Sequence, residues 1–424
     1  MKIHIANGRV VDPASGTDDR QDVYIEAGRI TGIGAAPEGF KPGRVIDARG
    51  LVVAPGLVDL SARLREPGFE YKATLETELA AAVAGGVTSL ACPPDTDPPL
   101  DEPGLVEMLR HSAKGIDLAH VHPVGALTAK LGGERLTEMV LLREAGCVAF
   151  SQADVPLADT QVLWRAMQYA SNFGFSLWLR PQDAHLARDG VAHDGDVATR
   201  LGLAGIPSFA ETIAVGTALA LVRDTGARVH FQRLSTARSV ELLRAAKAEG
   251  LPVSADISAH HAHLSEMDLG YFDPQCHVVP PFRSARDRDA LREALADGTI
   301  DALCSDHTPV DDDGKLLPFA EAEPGNTGLE LLLPLALKWG AEMKLSLVNA
   351  LGTVTHRPAR ILGTEAGRLA VGQAADLCLF DPEAMVRVSA DTLKSQGHNT
   401  PYLGIELPGR VRFTLVGGRV VFED

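Results

Sequence analysis

Val53-Ala54-Pro55-Gly56-Leu57-Val58-Asp59-Leu60-Ser61-Ala62-Arg63-Leu64-Arg65-Glu66-Pro67-Gly68 is the stretch from which the architecture can be read. Its apolar run, Leu57 to Leu60, has the length of a buried strand and ends in polar side chains at Ser61, Arg63, Arg65 and Glu66. Seven further runs follow: Thr88 to Cys92, Val121 to Gly125, Val148 to Ser151, Ser176 to Leu179, Val229 to Gln232, Val253 to Ile257 and Ala302 to Ser305. Between them, segments such as Thr74 to Ala84 and Ala285 to Ala296 carry the alanine and leucine spacing of helices that pack on a sheet. Eight strands alternating with helices predict an α/β chain folded as a TIM-type (β/α)8 barrel, with any reactive side chains at the C-terminal ends of the strands.

The two chain ends have a different character. Lys2 to Ala6, Arg9 to Val11, Val23 to Glu26 and Arg29 to Ile33 read as short strands punctuated by Asn7-Gly8 and Ala27-Gly28. The C-terminal stretch repeats the pattern, from Arg368 through Pro382 to a last hairpin at Gly417-Gly418. Neither end can close a core alone. We therefore expect residues 1–53 and 365–424 to form one small β-sandwich, and residues 54–364 to form the barrel.

With 45% hydrophobic and 23% charged residues, composition is that of a globular protein, and no apolar run approaches the ~18 residues of a membrane span. A formal charge of −16 disfavours nucleic acid, whose phosphates require a positive surface. Cys92, Cys147, Cys276, Cys304 and Cys378 are odd in number and lack Cys-x-x-Cys spacing, so neither disulfides nor a zinc ribbon is indicated. No signal-peptide hydrophobic region opens the chain, and a reduced, cytoplasmic protein is expected. The turn-rich segment His307 to Lys315, with three adjacent aspartates, reads as a solvated loop.

Asp59-Leu60-Ser61-Ala62-Arg63-Leu64-Arg65-Glu66-Pro67-Gly68 and Cys304-Ser305-Asp306-His307-Thr308-Pro309 resemble motifs of the dihydroorotase branch of the amidohydrolase superfamily. In that family the first motif reads His-x-His-x-Arg and the second contains a catalytic aspartate. The resemblance places Ser61, Arg63, Gln152, Arg180 and Arg233 at the family's metal-ligand positions, and Asp306 at that of its general acid/base. Arginine has no lone pair to offer and a pKa above ~12, so it cannot ligate zinc. It further implies that Arg65 matches the arginine that holds the substrate carboxylate. Asp95 stands for the partnering asparagine, Val279 for another asparagine and Val310 for a histidine. Asp154, two places beyond Gln152, reads as a turn residue, or as a substitute for the lost ligand if the register is shifted.

From these positions the chain is expected to lack the family's zinc, to bind no other cofactor and to be no enzyme, with Asp306 vestigial and ion-paired to an arginine. Arg63, Arg180 and Arg233 should converge on one barrel mouth and need counter-charge from Asp306, Asp95, Asp59 or Asp154, or a small anion. Of His260, His261 and His263, the first two are expected to be structural rather than a new metal site, and most of Gly325 to Glu330, Pro358 to Gly363 and Asn399 to Gly404 is expected to be plain packing. The pattern is similar to that of non-catalytic dihydroorotase-like proteins that assemble with the catalytic chain of aspartate carbamoyltransferase in pyrimidine (UMP) biosynthesis. The resemblance thus implies a structural role in a homo-oligomer or hetero-oligomer with that partner. The alternative is an active cyclic amidohydrolase of dihydroorotase type with a rebuilt mononuclear or metal-free site.

Overall fold

The computed structural model describes residues 2–424. Strands Leu57–Asp59, Val87–Cys92, His120–Ala126, Ala149–Ser151, Ser176–Leu179, Arg228–Phe231, Val253–Ser258 and Ala302–Cys304 pair in sequence order as one parallel sheet. This is the predicted barrel, with strand boundaries shifted by one residue or less at most ends. Closure happens just beyond the first and eighth strands. There the Arg63 N–H donates to the His307 carbonyl at 2.9 Å, and the His307 N–H donates to the Ser61 carbonyl at 3.1 Å. The ring is therefore sealed by the same residues that line its mouth.

Alternate side chains point inward, as a barrel requires. Val58, Leu60, Ala91, Val124, Ala149, Trp178, Ala302 and Cys304 pack together inside. Their neighbours Leu57, Leu90, Cys92, Phe150, Leu177 and Phe231 join the larger core beneath the helices. Helix α1 (Leu75–Ala84) starts at a capping box between Thr74 and Thr77. It stops at Gly85, where an added Cβ would come within 2.4 Å of the Leu329 carbonyl. Helix α2 (Pro103–Ile116) begins with proline in its first turn and ends at Asp117 in the left-handed conformation.

Both chain ends build two packed sheets. One contains Arg29–Ile33, Val23–Glu26, Lys2–Ala6 and Arg44–Asp47. The other runs Arg419–Glu423, Glu406–Val416, Leu377–Arg387, Val52–Pro55, Arg9–Asp12 and Thr17–Arg20. Ile3, Ile5, Ile25, Val53, Leu377 and Leu415 fill the space between them. Thr17–Arg20 and Arg44–Asp47 escape sequence reading because neither has a clear apolar alternation. Thr17–Arg20 is held at a sheet edge by pairing with Arg9–Asp12 and by the Arg9–Asp18 ion pair at 2.6 Å. Between the two long C-terminal strands, the chain leaves the sandwich and packs across the barrel, where Asn399 bonds to the Thr308 and Gly325 carbonyls.

The reading of His307 to Lys315 as a solvated loop holds at Asp312 and Asp313, which are exposed, and is corrected for the rest of the segment. His307 to Val310 are buried, and a short 3-10 turn over Asp312–Lys315 inserts the lysine ammonium between the carbonyls of Pro274 and His277 at 3.0 and 3.2 Å. The buried part is packed because Val310 and Lys315 find hydrogen-bond partners for their polar groups. No helix among the described residues is long and apolar enough to cross a membrane. All five cysteines are free and buried.

Candidate functional site

The strand ends bring Arg63, Arg180 and Arg233 together around a single carboxylate. Asp154 Oδ2 accepts from Arg63 Nη2 at 2.6 Å, and Asp154 Oδ1 accepts from Arg233 Nη2 at 2.6 Å. Arg180 Nε lies 2.8 Å from the same Oδ1 but is poorly aligned, and Arg180 Nη2 donates to the Asp154 carbonyl instead. Asp154 sits in a turn as expected, and of the counter-charges expected from sequence it is the one that meets all three arginines. Ala153, with φ of +50°, turns the chain so that the next side chain points to the barrel axis.

Two further carboxylates complete the network. Asp95 accepts from Arg63 Nε at 2.7 Å, and Asp306 accepts from Arg233 Nη1 at 2.9 Å with Arg63 Nη1 3.7 Å away. The Thr308 hydroxyl accepts from Arg63 Nη1 at 2.9 Å. Three guanidiniums thus face three carboxylates, with the arginine side chains at 5%, 2% and 2% exposure. Matching is required at that burial, because an unpaired buried charge costs several kcal/mol.

The electrostatics are uneven. Burial pushes the Asp154 carboxyl up, but Arg233, Arg63 and Arg180 together hold it well below the usual carboxylate range. Asp306 goes the other way: burial lifts it to about 6 against Arg233 and Arg63, with Asp154 adding to the rise. Burial also lifts Asp59 to about 6, against hydrogen bonds from Ser305 and Ser61. Asp59 serves Ser305 rather than an arginine, since the Ser305 N–H and hydroxyl both donate to it. Its candidacy as counter-charge is corrected accordingly.

The remaining sequence-derived positions split. Gln152 turns away from the arginines: its carbonyl accepts from Thr128 Oγ1 at 2.9 Å and its amide donates to the Leu131 carbonyl at 2.8 Å. The Ser61 hydroxyl is buried without a partner. The Val279 carbonyl lies 3.4 Å from Arg233 Nη1, and the Val310 N–H donates to Asn399 Oδ1. Arg65 Nε donates to the Pro309 carbonyl at 2.8 Å, and burial followed by the nearby Arg63 lowers its pKa. His261 and His263 contact backbone carbonyls, and His260 stacks on Tyr402 with 5.7 Å between ring centroids.

Sequence reasoning missed a second buried network beside the first. His307 Nδ1 accepts from the Gly328 N–H, so its Nε2 carries the proton and donates to Glu78 at 2.6 Å. Ser395 and Gln396 donate to the same Glu78 carboxylate. A helix, a strand end and a C-terminal loop meet there, at separations of 229 and 317 residues. Arg65, Ala153, Arg233 and Asp306 all adopt positive φ, between 50° and 63°. Such backbone strain concentrates at functional sites and at positions the fold over-determines.

The sequence pattern described as Dihydro-orotase-like matches residues 50–239, and that of the Amidohydrolase family matches residues 179–422. A dihydroorotase-like protein of Pseudomonas aeruginosa is 48% identical over 423 residues, covering 100% of both chains. This chain is a dihydroorotase-like member of the amidohydrolase family. A protein named dihydroorotase in Anaeromyxobacter dehalogenans is 43% identical, covering 100% of this chain and 98% of its own. Among solved structures, an L-hydantoinase (dihydropyrimidinase) from Arthrobacter aurescens superposes with a TM-score of 0.87 at 26% identity. It covers 99% of this chain and 96% of its own.

Family membership corrects two expectations. The chain was expected to be no enzyme, yet relatives spanning its full length carry the name dihydroorotase and its structural neighbours are hydantoinases, both enzymes. It was expected to need no cofactor, yet such members of the amidohydrolase family are typically metal-dependent. The residues at this mouth do not themselves fit a divalent ion. Among the described residues no group of three or more His, Cys, Asp or Glu side chains is placed to hold a metal, and Asp95, Asp154 and Asp306 are each engaged by guanidinium. No reaction step through a metal is therefore derived from this arrangement.

Proposed function

We propose that this dihydroorotase-like chain acts in pyrimidine biosynthesis as an assembly subunit for the catalytic chain of aspartate carbamoyltransferase. The observation that supports this reading is the network in which Asp154, with Asp95 and Asp306, balances three buried arginines within the fold and cross-links the strand ends at the barrel mouth. A rigid barrel suits the repeated contacts of a symmetric assembly, in which one surface serves many copies. The identity of the partner rests on the family resemblance. The test is to mix the purified chain with the catalytic chain of the same organism and measure mass by light scattering after size exclusion. A species heavier than either component supports the assembly role; two independent peaks overturn it.

A second reading, cyclic-amide hydrolysis, is favoured by the relatives named dihydroorotase and by Arg65. Among the described residues its guanidinium has no carboxylate at ion-pair distance, so it is free to meet a carboxylate substrate or another small anion. Dihydroorotate hydrolysis, measured with and without added zinc, separates this reading from the first. Turnover lost in Arg65→Met supports it, and no turnover in either condition removes it.

A further inference from the structure

The floor of the barrel, at the N-terminal ends of the strands, holds a cavity of about 480 Å3. That volume lies within the ~300–1,000 Å3 typical of small-molecule sites. Its walls are the C-terminal half of α2, the start of the strand His120–Ala126, and Val416 from the sandwich. Arg110, His111, Lys114, His120 and His122 line it, against only two carboxylates, Glu107 and Asp117. Asp117 is engaged by Arg419 at 2.7 Å. With Asp117 so engaged, Arg110 and Lys114 face a single remaining carboxylate of the lining, Glu107, in a chain of net charge −16.

Helix capping explains only part of it. Lys114 sits in the last turn of α2, where a cation offsets the helix dipole in any protein. Arg110 and His111 lie a turn earlier, beyond that effect, and His122 is on a strand. Arg110 is also held in place: its Nη1 donates to the Ala145 carbonyl at 2.8 Å, and it lies across Gly146. A Cβ at Gly146, whose φ is +116°, would come within 2.4 Å of Arg110 Nη1, so the glycine makes room for the guanidinium. Burial, then His120 and Arg110, push His122 down to about 4, leaving a neutral ring that can donate one N–H. His120 is anchored to Asp376 at 3.2 Å. The other walls are apolar, formed by Leu118, Val121 and Val416.

We propose that this floor cavity binds a small organic phosphate, with Arg110, Lys114 and the His122 N–H on the phosphate and Leu118, Val121 and Val416 against its apolar body. Guanidinium and ammonium hydrogen bonds to phosphate are the strong, charge-assisted kind, and a fixed guanidinium loses little freedom in making them. The site is independent of the assembly and hydrolase readings, because it uses no residue of the mouth.

The test is calorimetric titration of the full-length protein with phenyl phosphate, and separately with inorganic phosphate, in about 0.15 M salt. Saturable binding of phenyl phosphate with Kd below about 1 mM is expected, weakened about tenfold in Lys114→Gln and in Arg110→Gln. Arg143→Gln, a floor arginine outside the cavity, should bind like the parent. Because Arg110 also ties down Ala145, Lys114→Gln and the His122 ring proton resonance in NMR keep the test independent of that contact. The His122 signal should shift with ligand. Absence of saturable heat up to about 10 mM, or an affinity unchanged in Lys114→Gln, overturns the proposal. Equal affinity for inorganic phosphate overturns its apolar half.

Discussion

The two ends of this barrel handle arginine in opposite ways. At the mouth Arg63, Arg180 and Arg233 are almost wholly buried and each lies at ion-pair distance from a carboxylate. At the floor Arg110 and Lys114 are exposed beside an open cavity, and among the described residues neither has a carboxylate at ion-pair distance. The difference is one of solvent. A buried guanidinium must be paired inside the protein, whereas one at a water-filled cavity is solvated and stays available to a ligand. A cluster of arginines in a sequence therefore says little about ligands until its pairing is known.

The sharpest way to break the contrast is Asp154→Ala. Removing the hub leaves three buried guanidiniums with only Asp95 and Asp306, and stability should fall by about 3–5 kcal/mol in urea denaturation. A loss below about 1 kcal/mol would show that water already screens the mouth, making it like the floor. Because Asp154 titrates below the usual carboxylate range, its contribution should be complete above pH about 4 and fade as pH falls further.

Asp306 carries the opposite sign. Its folded pKa of about 6 lies above the unfolded value of about 4, so the native state holds the extra proton and this group's contribution to stability declines as pH rises between those values. Buried histidines such as His260 and His261, lowered to about 3 and about 4 by burial, pull the parent's curve the other way. The informative quantity is therefore the difference between Asp306→Asn and parent. The variant's deficit should shrink by about 2 kcal/mol between pH 4.5 and 6.5. A deficit independent of pH would mean that Asp306 remains ionised throughout and pairs with Arg233 as a simple salt bridge.

The smallest effect is expected at the floor. His120, half-exposed, is raised by its hydrogen bond to Asp376. Its contribution should be present below pH about 6.5, vanish as pH climbs through the raised value, and stay under about 1 kcal/mol after solvent screening. Thermal melts of His120→Asn against parent at pH 5.5 and 8.5 would measure it. A larger effect would make His120–Asp376 a structural clamp between barrel and sandwich.

Much of the site was legible as positions but not as partners. Arg63, Arg180, Arg233, Asp95 and Asp306 were all assigned to the mouth from strand ends and motif resemblance, and the structure brings all five together. Asp154 was named among four possible counter-charges, but its place as the hub was not legible, because an unusual backbone angle at Ala153 decides where its carboxylate points. Gln152 stands at a family ligand position by sequence, yet its amide is used by Thr128 and Leu131 nearby. The Glu78–His307–Ser395 network had no sequence signal, since nothing local marks a glutamate in a helix as the partner of a histidine 229 residues away.

By itself, the sequence determined the barrel, because strand and helix periodicities are local and repeat eight times with few alternatives. It also determined which side chains stand at the strand ends, since order along the chain maps directly onto order around the ring. Only the tertiary structure decided which charges meet, how far each is buried and where space is left over. Those depend on single left-handed backbone turns such as the one at Ala153 and on contacts between residues hundreds of positions apart, and electrostatic energy in a buried site varies steeply with both.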